Sequence, residues 1–178
     1  MNQPNLWYKV KAIDFDNADI GSIYGNETNA INRKILVNAG NIPDIKTKQG
    51  FKLGFRVISS AENTANAQLE SLVLSKDQVG RMVRHNSSKL DVVRKAQINE
   101  KNYAIKAVII ISKAENRYKK FVREEANEFI DGFAKNKNLK ELVLEVLSGK
   151  VQNQLHKKLS KIYPTRAVEI RMIEKLNN

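Results

Sequence analysis

Apolar and polar residues alternate with a period of two through much of the first 111 positions. Leu6-Trp7-Tyr8-Lys9-Val10-Lys11-Ala12 begins the pattern, and Ile31, Arg33, Ile35 and Val37 then alternate with Asn32, Lys34 and Leu36. Phe51, Leu53, Phe55 and Val57 set four large apolar side chains against Lys52, Gly54 and Arg56. Successive side chains of an extended chain point to opposite faces, so each segment predicts a half-buried strand. Residues 65–74, 90–97 and 103–111 predict three more. The last is apolar on both faces, Val108 and Ile110 against Ile109 and Ile111, which predicts a central strand. Residues 14–29 and 38–49 read as loops.

The period becomes helical in two places. Ser75-Lys76-Asp77-Gln78 has the spacing of a capping box ahead of Val79, Met82 and Val83. After Ser112, the residues Tyr118, Phe121, Val122, Ala126, Phe129, Ile130 and Phe133 predict a long amphipathic helix. Asn138 with Glu141 predicts a second capping box, before Leu139, Leu142, Val143, Val146 and Leu147. Gly149 marks a break, Val151, Leu155, Leu159 and Ile162 a further helix, and Tyr163-Pro164 its end. From Arg166, the residues Val168, Ile170 and Met172 return to strand alternation. The pattern predicts an α+β fold: a largely antiparallel, seven-stranded barrel or sandwich-like core with helices concentrated in the C-terminal half. It reads as a single domain over residues 1–178, strand-rich in 1–111, helix-rich in 112–163 and closed by a strand at 166–174.

Charge changes this picture by giving it a direction. Of a formal net charge of +12, residues 76–123 supply an excess of nine, thirteen Lys and Arg against four Asp and Glu. Like charges crowded together oppose compaction, so the excess predicts a polyanionic partner. The long helix carries Arg117, Lys119, Lys120 and Arg123 in its first turns and Glu124, Glu125, Glu128 and Asp131 later. That order opposes the helix dipole and forgoes about 0.3–1 kcal/mol per charge. Arg81, Arg84, His85, Ser87, Ser88 and Lys89 gather around the preceding helix end, where cations neutralise phosphates and hydroxyls donate to phosphate or ribose. The two groups read as separate cationic presentations with strands between them. Tyr103, Tyr118 and Phe121 fit the core periodicity, so shape and backbone recognition of folded RNA is expected over base stacking.

Several chemistries are excluded by composition. No cysteine is present, which removes disulfides, thiolate ligands and thiol nucleophiles. The eight glycines form no phosphate-cradling loop, and the two histidines, His85 and His156, have no partner at ligand spacing. No apolar run reaches the roughly 20 residues of a membrane span. The first residues carry no secretory signal, so a cytoplasmic location is expected, with no cofactor. Asp14, Asp16 and Asp19 form the one compact acidic group. They leave open a Mg²⁺-dependent ribonuclease, the alternative to a solvated turn at a strand end. A non-ribosomal RNA or protein interaction module, its charge serving solubility, is a further alternative.

Two segments carry a family likeness. Lys161-Ile162-Tyr163-Pro164-Thr165-Arg166-Ala167-Val168-Glu169-Ile170-Arg171 resembles the closing signature of the archaeal and eukaryotic small-ribosomal-subunit family S-three-Ae, also written S-one-e. Val83-Arg84-His85-Asn86-Ser87-Ser88-Lys89-Leu90-Asp91 resembles its second signature, an arginine run followed by Thr/Ser-Ser-Lys-Ile-Asp. Trp7-Tyr8, Lys52-Leu53-Gly54-Phe55-Arg56-Val57 and Leu147-Ser148-Gly149-Lys150 fall in the expected order, so the resemblance covers nearly the whole chain. His85 and Asn86 stand where the family continues its arginines, and the family's basic N-terminal extension is almost missing. The resemblance implies a barrel-like core with flanking helices, no catalysis, and ribosomal RNA on the subunit platform near the messenger exit as partner. Neighbouring platform proteins and messenger RNA are further implied partners, with neither membrane nor small-molecule substrate. RNA contacts are expected at the two groups above, including Lys113, and secondarily at Lys161, Arg166 and Arg171.

Overall fold

The computed structural model describes residues 5–43, 45, 50–135 and 137–176. The eight strands are β1 (Leu6–Ala12), β2 (Ala18–Gly25), β3 (Lys34–Asn38), β4 (Phe51–Ala61), β5 (Thr64–Leu74), β6 (Ser87–Ile98), β7 (Lys101–Ser112) and β8 (Thr165–Lys175). Five α-helices accompany them among the described residues: α1 (Glu27–Ala30), α2 (Lys76–Met82), α3 (Asn116–Ala134), α4 (Leu139–Leu147) and α5 (Lys150–Ser160). The α+β class, the largely antiparallel sheet and the late helices agree with the sequence pattern. The count differs by one strand, β2, which lies in the segment read as a loop. The other segment read as a loop, 38–49, falls partly outside the described residues.

The sheet branches at β5. One margin of β5 pairs with β4, which in turn carries β3. Its other margin is shared: Ala65 and Ala67 lie beside Val10 and Ala12 of parallel β1, while Ser71 to Val73 pair with β8. The order β2-β1-β5-β8-β7-β6 leaves β2, β3 and β6 at the open margins. Both long hairpins turn on two residues with positive φ, Glu62-Asn63 and Asn99-Glu100, the geometry that matches the twist of the strands. Asparagine tolerates that region well, glutamate less so.

β7 lies between β6 and β8, as its two apolar faces predict. Ile105, Ala107, Ile109 and Ile111 join a core built from Val122, Ala126 and Ile130 of α3, Leu142, Val143 and Val146 of α4, and Leu155 and Leu159 of α5. Ala104, Val108 and Ile110 are also buried but stand outside that core, as alternation across a strand requires. The Asn138–Glu141 capping box forms, each side chain accepting from the other residue's backbone N–H. The one expected at Ser75 does not: Ser75 is the N-cap and its carbonyl accepts from Val79 N–H, but its side chain accepts no hydrogen bond from the helix. On α3, Val122, Ala126, Ile130 and Phe133 are buried, whereas Phe121 is 57% exposed and does not belong to the core stripe. Phe121 lies about 100° around the helix from Val122, and in this turn it is Val122 that is buried.

Arg94 of β6 grips Asp131 of α3 through both carboxylate oxygens, with Nε–Oδ1 at 2.8 Å. The bond to the guanidinium holds the Asp131 carboxyl below its ordinary value. A depressed folded-state pKa stabilises the fold above the unfolded value of about 3.9 and ceases to do so as pH falls through the folded value. The urea midpoint of the native chain is therefore expected to decline more steeply below about pH 4 than that of Asp131→Asn, which lacks this proton linkage.

Candidate nucleic-acid interface

Cross-strand register decides where the basic residues meet. Ser87, the first residue of β6, pairs with Ser112, the last of β7. Ile111 pairs in turn with Thr165, the first residue of β8. Three connections therefore open at one end of the sheet: α2 to β6, β7 to α3, and α5 to β8. Backbone hydrogen bonds stitch them together, Lys113 N–H to Asn86 O at 3.2 Å and Ser112 N–H to Pro164 O at 3.0 Å. The Tyr163 hydroxyl donates to Lys113 O at 2.8 Å, and its ring lies 5.0 Å from that of Tyr118. The Arg117 guanidinium sits 4.6 Å above the Tyr118 ring, a cation–π contact that fixes the side chain at the start of α3.

The two cationic groups are thus one presentation, not two. Arg81, Arg84 and His85 stand exposed on the α2–β6 side. Lys113, Arg117, Lys120 and Arg123 are exposed on the β7–α3 side, with Lys119 half-buried. Lys161 and Arg166 are exposed at the third connection. Arg166 falls where the β7–β8 register shifts between Ile110 and Ile111, so no β7 residue stands opposite it. Arg81, Arg84, Lys113, Arg123, Lys161 and Arg166 make no side-chain hydrogen bond or ion pair among the described residues. Arg117 and Lys120 have acidic neighbours, Glu115 at 3.2 Å and Glu124 at 3.8 Å, but these pairs are exposed and worth little.

Three expected site residues have local duties. The Ser87 hydroxyl donates to Arg84 O and accepts from Arg84 N–H, closing the turn before β6. Lys89 pairs with Asp91 at 3.2 Å, and Arg171 Nε lies 3.9 Å from the same carboxylate. Lys89 and Arg171 line a groove of about 440 Å³ beside α2, with Val79, Lys106, Met172 and, at the start of the α2–β6 connection, Val83. Ser88, opposite Ile111, is half-buried. Sequence reasoning missed Tyr163, Tyr118 and Asn86 as organisers of the site. Asn86 has φ of +58°, which explains a residue tolerant of the left-handed region in the middle of a basic turn.

The acidic group is dispersed into structural tasks. Asp14 Oδ2 accepts from Leu69 N–H at 2.6 Å, Asp19 Oδ1 from Gly21 N–H at 2.9 Å, and Asp16 occupies a left-handed turn position. Among the described residues no three His, Cys, Asp or Glu side chains gather to hold a metal ion. A polar cleft of about 470 Å³ lies near Asp14, bordered by Arg56, Glu70, Tyr103, Lys101 and Lys140. There Glu70 accepts from Arg56 Nε at 2.7 Å, and burial, then the charges of Glu70 and Asp14, raise the Tyr103 phenol above its ordinary value. His156 Nε2 lies 3.0 Å from Thr165 O, a contact that joins α5 to the start of β8.

Fold and site together define a class: an α+β sheet protein that fixes its connections by backbone bonding and presents cations from them. The chain belongs to the Ribosomal S3Ae family, whose family model matches residues 5–178. Among its relatives, the small ribosomal subunit protein eS1 of Methanothrix thermoacetophila is 28% identical over 173 residues, spanning 94% of this chain and 82% of the relative. The eS1 protein of Desulfurococcus amylolyticus is 31% identical over 170 residues, spanning 92% and 79%. That of Methanobrevibacter smithii is 26% identical over 175 residues, spanning 96% and 91%. The family is one of structural components of the ribosome, not of enzymes.

Proposed function

We propose that this chain is a structural constituent of the small ribosomal subunit that grips ribosomal RNA with the loop end of β6, β7 and β8. The observation that carries the reading is spatial. The two signature segments, 83–91 and 161–171, are far apart in sequence but flank β7, and the unpaired cations of both surround its C-terminal end. Arg84, Lys113, Arg117, Arg123 and Arg166 neutralise phosphates, Arg81, His85, Lys119, Lys120 and Lys161 flank them, and the rigid turns between set their spacing. Lys89 and Arg171 shape Asp91 and the groove behind. The family resemblance adds a seat on the subunit platform near the messenger exit, beside other small-subunit proteins, and hence a cytoplasmic location within the ribosome. No helix of the described residues is long and apolar enough to cross a membrane.

Sedimentation tests the reading. A tagged copy expressed in an archaeal host is expected to travel with small subunits through a sucrose gradient. The double variant Arg84→Glu with Lys113→Glu should lower the bound fraction by about tenfold or more while remaining folded, because it removes two phosphate contacts and adds repulsion. Undiminished association of that variant would move the RNA site elsewhere.

A further inference from the structure

A second surface combines exposed aromatics with cations, at the other side of the branched sheet. Trp7 of β1 is 64% exposed and Tyr24 of β2 is 51% exposed. They are direct cross-strand partners with ring centroids 5.3 Å apart and planes inclined by 49°. Alternation along β1 sends Tyr8, Val10 and Ala12 into the core and leaves Trp7, Lys9 and Lys11 on the outer face. The same face continues onto neighbouring strands through register: Ser22 opposite Lys9 on β2, and Thr64 and Asn66 beside Lys9 and Lys11 on β5. Arg33 is held at the margin, its Nη1 donating to Tyr24 O at 2.6 Å. Asp19, opposite Lys11, adds an acid to this face, and its Oδ1 already accepts from Gly21 N–H.

Apart from the two rings, this face is cationic and rich in hydroxyl and amide groups. A partner protein's apolar surface would leave Lys9 desolvated without counter-charge and Lys11 with Asp19 alone beside it, at considerable cost. Unpaired nucleotides satisfy every element: bases stack on the rings, phosphates meet the lysines, and ribose hydroxyls meet Ser22, Thr64 and Asn66. We infer that the Trp7–Tyr24 face of β1 and β2 is a stacking platform for an unpaired RNA segment, separate from the loop-end site. The inference rests on the reading of the chain as an RNA-binding protein but uses none of the same residues.

Trp7 is the single tryptophan of the chain, so its fluorescence reports this face alone. An oligouridylate of about eight nucleotides, within the span a single binding sheet engages, is expected to quench it on titration into the purified full chain. The same strand in a duplex, and inorganic polyphosphate at equal phosphate, should leave the emission unchanged. Trp7→Ala is expected to weaken binding of a labelled oligouridylate by about 5- to 150-fold, the range for one stacked base, with Trp7→Phe retaining most of the affinity. Thermal melts should be nearly unaltered, because Trp7 is an exposed side chain. Arg84→Glu with Lys113→Glu, which tests the loop end, should preserve the quenching. Failure of the oligonucleotide to quench Trp7, or an affinity unchanged by Trp7→Ala, would overturn the platform without touching the loop-end site.

Discussion

Replacing Phe55 by alanine is expected to destabilise the protein by about 3–5 kcal/mol, the range for deleting a buried aromatic ring. Phe55 is fully buried in β4, paired with Ile35 of β3 on one side and Leu69 of β5 on the other. Its ring meets that of Phe15 edge-to-face, with centroids 5.9 Å apart and planes at 77°. Phe15 in turn lies under the ammonium of Lys140 in α4, at 5.5 Å. The substitution therefore removes transfer energy, an aromatic pair of about 0.5–1.5 kcal/mol, and the filler between two sheet margins and the helical layer. In a chain of this length each kcal/mol lowers Tm by about 2–4 °C, so a drop of roughly 6–20 °C is expected. Urea unfolding measures it, with Phe55→Leu as the milder control because most of the volume remains. A loss below about 1 kcal/mol would mean that the cavity collapses freely and that this part of the core is loosely packed.

Much of this core was legible in the sequence because its signals are local. The doubled apolar character of Val108 to Ile111 needs a strand with neighbours on both sides, and β7 has them. The Asn138–Glu141 spacing encodes a cap that closes on itself, so tertiary context could not remove it. β2 was hidden for an equally physical reason. It sits at an open margin, with Ile20 and Gly25 as its only buried residues, and it contains Gly21 at φ of +126° opposite the shift in register at Val10 and Lys11. An edge strand buries too little to impose a clean alternation. Ser75 shows the converse failure: the spacing of a cap is present, yet the serine side chain does not close it. The charge excess was legible as composition, but its unity was not. Only the pairings of Ser87 with Ser112 and Ile111 with Thr165 bring three distant connections together, and register between strands is not written in any one of them.

That unity has a quantitative consequence for RNA binding, and salt exposes it. If Arg84, Lys113, Arg117, Arg123 and Arg166 each neutralise one phosphate, five counterions leave the RNA together, and the log–log dependence of affinity on salt has a slope of about −3.5 to −4.5. Raising salt from 50 to 200 mM should then weaken binding to small-subunit RNA by roughly two orders of magnitude. The triple variant Arg84→Ala, Lys113→Ala, Arg117→Ala retains two of the five contacts. Its slope should fall to about −1.5 and its loss over the same interval to about tenfold. Three alanines on exposed positions leave the core intact, so the comparison reads charge and not folding. The helix bears on the outcome as well. Arg117 stands in the first turn of α3, where its charge is unfavourable to the dipole, so removing it relieves about 0.3–1 kcal/mol and offsets the loss of its contacts with Tyr118 and Glu115. The triple variant should therefore bind RNA more weakly while melting at about the same temperature. A binding site gives the sequence a reason to keep a cation at a helix N-terminus against its own contribution to stability. A variant whose slope stays near −4 would place the phosphate contacts on other residues of the chain.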